Sequence, residues 1–187
     1  MTPLPKIDKG WTLFLDRDGV INREGKGKYI NNWEEFVFSE SAVEAIRIFS
    51  NIFNRIIVVT NQRGVTRGFT KPADLQVIHT NMQMAVSKAG GKIDAVYFCI
   101  DEDEASVNRK PNTGMAMQAL DQFPDINFYK SIMIGDKMSD MKFGRNLGMV
   151  TIFLPTTILD AAVHHELIDF TFPSLTAFSA AMLAGKF

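Results

Sequence analysis

Five short, apolar-rich runs without regular polar alternation recur along the chain, at residues 11–15 (WTLFL), 55–59 (RIIVV), 93–100 (IDAVYFCI), 131–134 (SIMI) and 149–154 (MVTIFL). Strands of this kind are buried on both faces, which is the condition of a parallel sheet. Segments with helical spacing separate them. Residues 41–49 place Val43, Ile46 and Phe49 or Ile52 on one face, and residues 71–88 open near Pro72 and stop at Gly90 and Gly91. Further helices are predicted at 114–123 and at 140–146, where Leu147 and Gly148 end the pattern. The alternation predicts an α/β domain in which helices cover both faces of a mostly parallel central sheet. With 187 residues, 46% of them hydrophobic, the chain suits one such domain. The expected core spans residues 11–154, and an extension at 155–187 carries an apolar run at 167–172 and a last helix near 174–183. Residues 17–39 read as a long polar loop, and loops of that length in compact domains are usually functional.

Ligands of open α/β sheets bind beyond the carboxyl ends of the strands, and the polar motifs of this chain fall there. The first run ends in Asp16-Arg17-Asp18-Gly19. Residues i and i+2 of an extended segment point the same way, so both carboxylates can face one small volume. That suits a divalent cation, a nucleophile with an acid/base partner, or both. A D-x-D pair alone is weak, and Asp101 with Asp103 forms another in a stretch that reads as solvated loop. Three later segments of the chain give the pair its weight. After the second strand, Thr60-Asn61-Gln62-Arg63-Gly64 offers a hydroxyl, an amide and turn N–H groups to phosphate oxygens. After the third, Arg109-Lys110-Pro111 places a basic pair at a helix entrance. After the fourth, Gly135-Asp136-Lys137 again ends an apolar strand in a carboxylate, which can complete a hard oxygen site of the kind Mg²⁺ accepts. Each segment alone has a plain reading as a turn, cap or solvated loop. Three acids converging without a cation would repel by about 4 kcal/mol per pair at ~4 Å and an effective dielectric of ~20, so their joint occurrence in this order points to a metal-assisted site.

The four segments resemble the four motifs of the haloacid dehalogenase (HAD) superfamily of phosphohydrolases. The strings LDRDGVIN, VVTNQRGVTRG, RKPNTGM and IGDKMSDM are similar to one group within it, the histidinol-phosphate and D-glycero-D-manno-heptose 1,7-bisphosphate phosphatases. The resemblance covers residues 11–154 and implies a three-layer, Rossmann-like fold. It implies Asp16 as nucleophile, forming an aspartyl-phosphate, and Asp18 as the acid that protonates the leaving oxygen and the base that activates water. It implies Mg²⁺ held by Asp16, the Asp18 carbonyl and Asp136. Thr60 and Lys110 would bind the transferring phosphoryl group, with Asn61 supporting them and Lys137 near metal and phosphate. Arg109 and the loop carrying Glu24, Lys26 and Lys28 correspond to substrate-binding segments.

The chain departs from that group in one place. Many members carry a zinc loop with a Cys-x-His and a Cys-x-Cys pair before the Arg-Lys-Pro segment, whereas here only Cys99 stands at a ligand position. No structural zinc is expected, and Cys99 is expected to be a buried thiol. There is also no room for a substantial cap domain, so selectivity falls to loops, where Arg63, Arg67 and Arg109 could meet a second anionic group.

Net charge is -1, which removes any general pull toward nucleic acid or an anionic membrane. One cysteine excludes an intrachain disulfide framework, and no apolar run is long enough to span a bilayer, so a reducing, cytoplasmic setting is expected. The expected activity is Mg²⁺-dependent hydrolysis of a small phosphorylated metabolite by a monomer or small homo-oligomer. A heptose bisphosphate comes first and histidinol phosphate second. A receiver-like phospho-acceptor or interaction module stays open as a different class, although its acceptor aspartate would follow a later strand.

Overall fold

The computed structural model describes residues 6–24, 29–156 and 165–185. Its centre is a six-stranded sheet of β1 (Thr12–Leu15), β2 (Arg55–Asn61), β3 (Ala95–Cys99), β4 (Ser131–Gly135), β5 (Val150–Phe153) and β6 (Phe170–Thr171). All pairings are parallel, and the strand order is β3-β2-β1-β4-β5-β6. The chain moves outward from β1 to β3, then returns to the other side of β1 for β4. The order therefore reverses at β1, where a crevice opens beyond the strand ends.

Side-chain alternation along the central strands builds two separate cores. Leu13, Leu15, Ile56, Val58, Ile132 and Ile134 face one side, while Phe14, Ile57, Val59 and Met133 face the other. The first side is covered by α1 (Ala42–Ile52), α2 (Pro72–Lys88) and α5 (Leu175–Leu183), the second by α3 (Gly114–Gln122) and α4 (Met138–Asn146). This is the three-layer α/β arrangement the apolar runs predict. Pro72 occupies the first turn of α2, where its missing N–H costs nothing. Gly90, at φ +81°, lets the chain leave that helix.

Several boundaries shift from expectation, and three of the differences shape the sheet and the site. Strand β2 runs to Asn61, not residue 59, because Thr60 and Asn61 pair with Phe98 and Cys99 of β3. Helix α4 begins at Met138, not residue 140, because the Asp140 carboxylate accepts the Lys137 N–H at 3.0 Å and closes the first turn from inside. The apolar run near 167–172 contributes a sixth strand, with Ile152 opposite Phe170, and α5 then sets Phe178 5.4 Å from Phe49 of α1.

Among the described residues, the connections from β1 to α1, β2 to α2 and β3 to α3 hold turns and one short 3-10 helix, Trp33–Glu35, and no cap domain. The described residues leave the crevice open above the sheet. The same residues contain no helix long and apolar enough to cross a membrane.

Candidate active site

Register brings the motifs together. Leu15 lies opposite both Val58 and Ile134, so residues just past these points emerge at one level. The Asp16 N–H continues the ladder by donating to the Ile134 carbonyl at 2.9 Å, and its side chain is buried at the strand end. Thr60, Lys110 and Asp136 are likewise buried.

Lys110 reaches this floor from the β3–α3 loop. Its Nζ donates to Asp16 Oδ1 at 2.8 Å and to the Val59 carbonyl at 2.7 Å, and pairs with Asp140 Oδ1 at 2.6 Å. An ammonium has three donors, and these partners use all of them. Burial pulls the Lys110 pKa down, but the charges of Asp140 and Asp16 outweigh it and hold the ammonium above its ordinary range. Asn61 sets the main chain of Lys110, accepting its N–H at 3.0 Å and donating to its carbonyl at 3.1 Å. Both functional groups of the Asn61 amide are thus turned to the lysine that carries the cation.

Ligand atoms of Asp16, Asp136 and Asp140, all buried, lie within 4.8 Å of one another. Three hard oxygen donors in so small a volume fit a divalent cation. Asp140 is the member of this cluster that reading the sequence missed. Its signal was present, because it stands four residues after Asp136, one turn into the following helix. Burial pushes the Asp140 carboxyl up against the pull of Lys110, and Asp16 adds to the rise.

Gly135 makes the close approach possible, since a Cβ there would lie 2.2 Å from the Asp140 Cβ and 2.5 Å from its Cγ. Gly135→Ala is therefore expected to push α4 off the sheet, costing about 1–3 kcal/mol or more with loss of activity. Urea unfolding and turnover check this, and an alanine variant as stable and active as the parent would contradict it.

Asp18 is turned aside from the acid cluster. It receives Arg17 Nη2 at 2.9 Å on each oxygen, Asn22 Nδ2 at 2.9 Å and Gln62 Nε2 at 2.7 Å. Burial alone would raise its pKa, but the Arg17 charge and the hydrogen bonds of Asn22, Arg17 and Gln62 reverse the shift and hold it below the usual carboxylate range. Its side chain keeps 18% exposure and lines the cavity above Lys110. Arg17, Asn22 and Gln62 were not singled out in the sequence. A charge between two strand-end acids is expected to face away, yet Arg17 is fully buried beside them.

The cavity is about 590 Å³ and is lined by Arg63, Arg109, Lys137 and Lys142 among others. Lys137 pairs with Glu24 at 2.7 Å across its edge. Burial opposes the Lys137 charge, but Asp136, Asp16 and Glu24 raise its pKa well beyond normal. Arg109 donates to the Asp101 carbonyl at 3.0 Å, which orients it at the rim. Lys26 and Lys28 lie outside the described residues. Cys99, the last residue of β3, is buried, and in the loop that follows Asp101 accepts the Ser106 hydroxyl at 2.5 Å.

A family model described as HAD-hydrolase-like matches residues 107–178. The D-glycero-alpha-D-manno-heptose-1,7-bisphosphate 7-phosphatase of Mycobacterium tuberculosis is 34% identical over 173 residues, covering 92% of this chain and 91% of that protein. The enzyme of the same name from Campylobacter jejuni is 39% identical over 142 residues, covering 76% and 80%. The crystal structure of D,D-heptose 1,7-bisphosphate phosphatase from B. bronchiseptica, complexed with magnesium and phosphate, shares the fold with a TM-score of 0.83 at 24% identity, over 94% of this chain and 99% of that one. With its parallel sheet, its strand-end acids and relatives of this identity and coverage, the chain belongs to the HAD-like phosphatases, alongside the heptose-1,7-bisphosphate 7-phosphatases, and is a phosphoric monoester hydrolase.

Proposed function

We propose that this chain removes one phosphate from a heptose 1,7-bisphosphate-type sugar through an aspartyl-phosphate on Asp16, with Mg²⁺ as cofactor. The observation that carries the reading is the contact of Lys110 with Asp16 at 2.8 Å, on the floor of a cavity that Asp18 overlooks. Asp16, the main-chain carbonyl of Asp18 and Asp136 would hold the ion, with Asp140 at its side. Bound there, the ion would offset the clustered acids and the phosphoryl oxygens.

In this reading an Asp16 oxygen attacks phosphorus in line and the bond to the sugar oxygen breaks. The oxygen leaves with the proton of Asp18. Water then gives a proton to Asp18 and attacks phosphorus, which frees Asp16 and releases phosphate. Attack of an anion on an anion is the difficulty, and Lys110 reduces it from a fixed, buried position. Thr60, buried beside the site, offers a hydroxyl to the phosphoryl group. The ligand-free pocket holds Asp18 as a carboxylate. An arriving phosphoryl dianion raises its proton affinity, which lets it serve as acid in the first step and base in the second.

Arg63, Arg109, Lys137 and Lys142 around one cavity favour a substrate with a second anionic group. A bisphosphate fits that rim better than histidinol phosphate, whose amine would meet like charge. The test is phosphate release from both anomers of heptose 1,7-bisphosphate, from histidinol phosphate and from a sugar-phosphate panel, with Mg²⁺ or with chelator. Release that is fastest from a heptose bisphosphate and lost in chelator is expected. Equal release from every compound, or release indifferent to chelation, would overturn the reading.

A further inference from the structure

His79 lies in the middle of α2 and is 3% exposed, although nothing in the chemistry above uses it. Its Nε2 stands 3.1 Å from Nη1 of Arg17. A guanidinium can only donate, so Nε2 is the acceptor and the imidazole is neutral. Burial and the Arg17 charge push the His79 pKa down to about 3, which keeps that acceptor in place at any working pH. The Phe98 ring, 5.3 Å away, packs against the imidazole.

Arg17 is a rigid, planar group whose two edges do different things. The Nη1 edge meets His79. The other edge holds Asp18 through Nη2 at 2.9 Å and Nε at 3.2 Å, and Nη2 also meets Gln62 Oε1 at 3.0 Å. Gln62 in turn donates to Asp18 at 2.7 Å and to Thr60 Oγ1 at 2.9 Å. Fixing one edge of the plane fixes the fork on the other. Without His79 the guanidinium would have a buried Nη1 lacking its acceptor and would be able to turn, taking Asp18 with it.

We propose that His79 is a positioning residue for the leaving-group step, aiming the Asp18 carboxyl through Arg17. The inference rests on the reading of Asp18 as acid/base. It goes beyond ordinary support of a buried arginine, because it demands that the loss appear only where the leaving oxygen needs a proton.

The experiment compares two substrates in single-turnover measurements of leaving-group release, the heptose 1,7-bisphosphate and p-nitrophenyl phosphate, whose nitrophenolate departs without protonation. The first step alone is read, so the later hydrolysis of the intermediate does not enter. His79→Leu is expected to slow release of the sugar about tenfold or more and to leave nitrophenolate release within about twofold of the parent. His79→Gln, which restores an acceptor for Nη1, is expected to recover most of the loss and covers the case in which the leucine variant folds poorly. Equal slowing of both substrates, or no slowing of either, would overturn the proposal. Asp18→Asn on the same pair separates the two ideas. If Asp18→Asn shows the leaving-group dependence and neither His79 variant does, only the role of His79 falls. If Asp18→Asn does not show it, the acid/base reading falls and the role of His79 with it.

Discussion

Asp16→Asn is expected to reduce phosphate release by about 10⁴-fold or more while the fold persists. The amide keeps the shape of the carboxylate and its place at the end of β1, where the backbone N–H is fixed to Ile134. What it loses is nucleophilicity, and the remaining groups cannot replace that. Lys110 and Thr60 can still meet a phosphoryl group, and one negative charge facing it is gone, so substrate affinity should change far less than turnover. Stability should change little. The substitution removes one ion-pair partner of Lys110 but leaves the other, Asp140 at 2.6 Å, and it also removes one of three crowded negative charges. Phosphate release and equilibrium unfolding on the same preparation test this. An asparagine variant retaining a tenth of the activity, or one that is unfolded, would remove Asp16 from its assigned place.

Why Asp16 could be found in the sequence while His79 could not is a matter of distance along the chain. The acid at a strand end, the glycine after it and the apolar run before it are consecutive residues, and the strand geometry that aims them is local. The same holds for Asp136, and for the helix that Pro72 opens and Gly90 closes. Asp140 sits at the margin. Its spacing from Asp136 was visible, but its role depends on α4 starting two residues earlier than its pattern indicates, so that one carboxylate both closes the helix turn and meets Lys110. Arg17, Gln62 and His79 were not legible. Their contacts join residues 45 and 62 positions apart, and an arginine between two strand-end acids gives no sign that it will be buried. The pairing of β6 was hidden for a similar reason. Two residues of strand carry almost no pattern, and their place is fixed from outside, by Asp169 accepting the Thr151 N–H at 2.9 Å and pairing with Arg145 at 2.6 Å. Local chemistry thus marks the groups proposed to react. The groups that hold them in place emerge only when the chain has closed on itself.

Lys110→Met is expected to be the most damaging single change to both stability and activity. The methionine matches the length of the alkyl stem, so packing along the chain is largely kept. The missing group is an ammonium that is 1% exposed and has three partners, Asp16, Asp140 and the Val59 carbonyl. Removing one member of a buried ion pair leaves the others as uncompensated charge, which costs about 3–5 kcal/mol. For a chain of this size that corresponds to a fall in melting temperature on the order of 10 °C. Lys110→Arg separates charge from geometry. It restores a cation and should recover part of the stability, but a planar fork cannot occupy the tetrahedral position between Asp16 and the Val59 carbonyl, so activity should stay low. Added Mg²⁺ gives a third comparison. If the ion binds the acid cluster, it supplies positive charge to the same carboxylates, so it should raise the melting temperature of Lys110→Met more than that of the parent. A methionine variant as stable as the parent, with or without Mg²⁺, would mean that Lys110 does not offset the acids at the end of the sheet, and the electrostatic account of the site would have to be rebuilt around another cation.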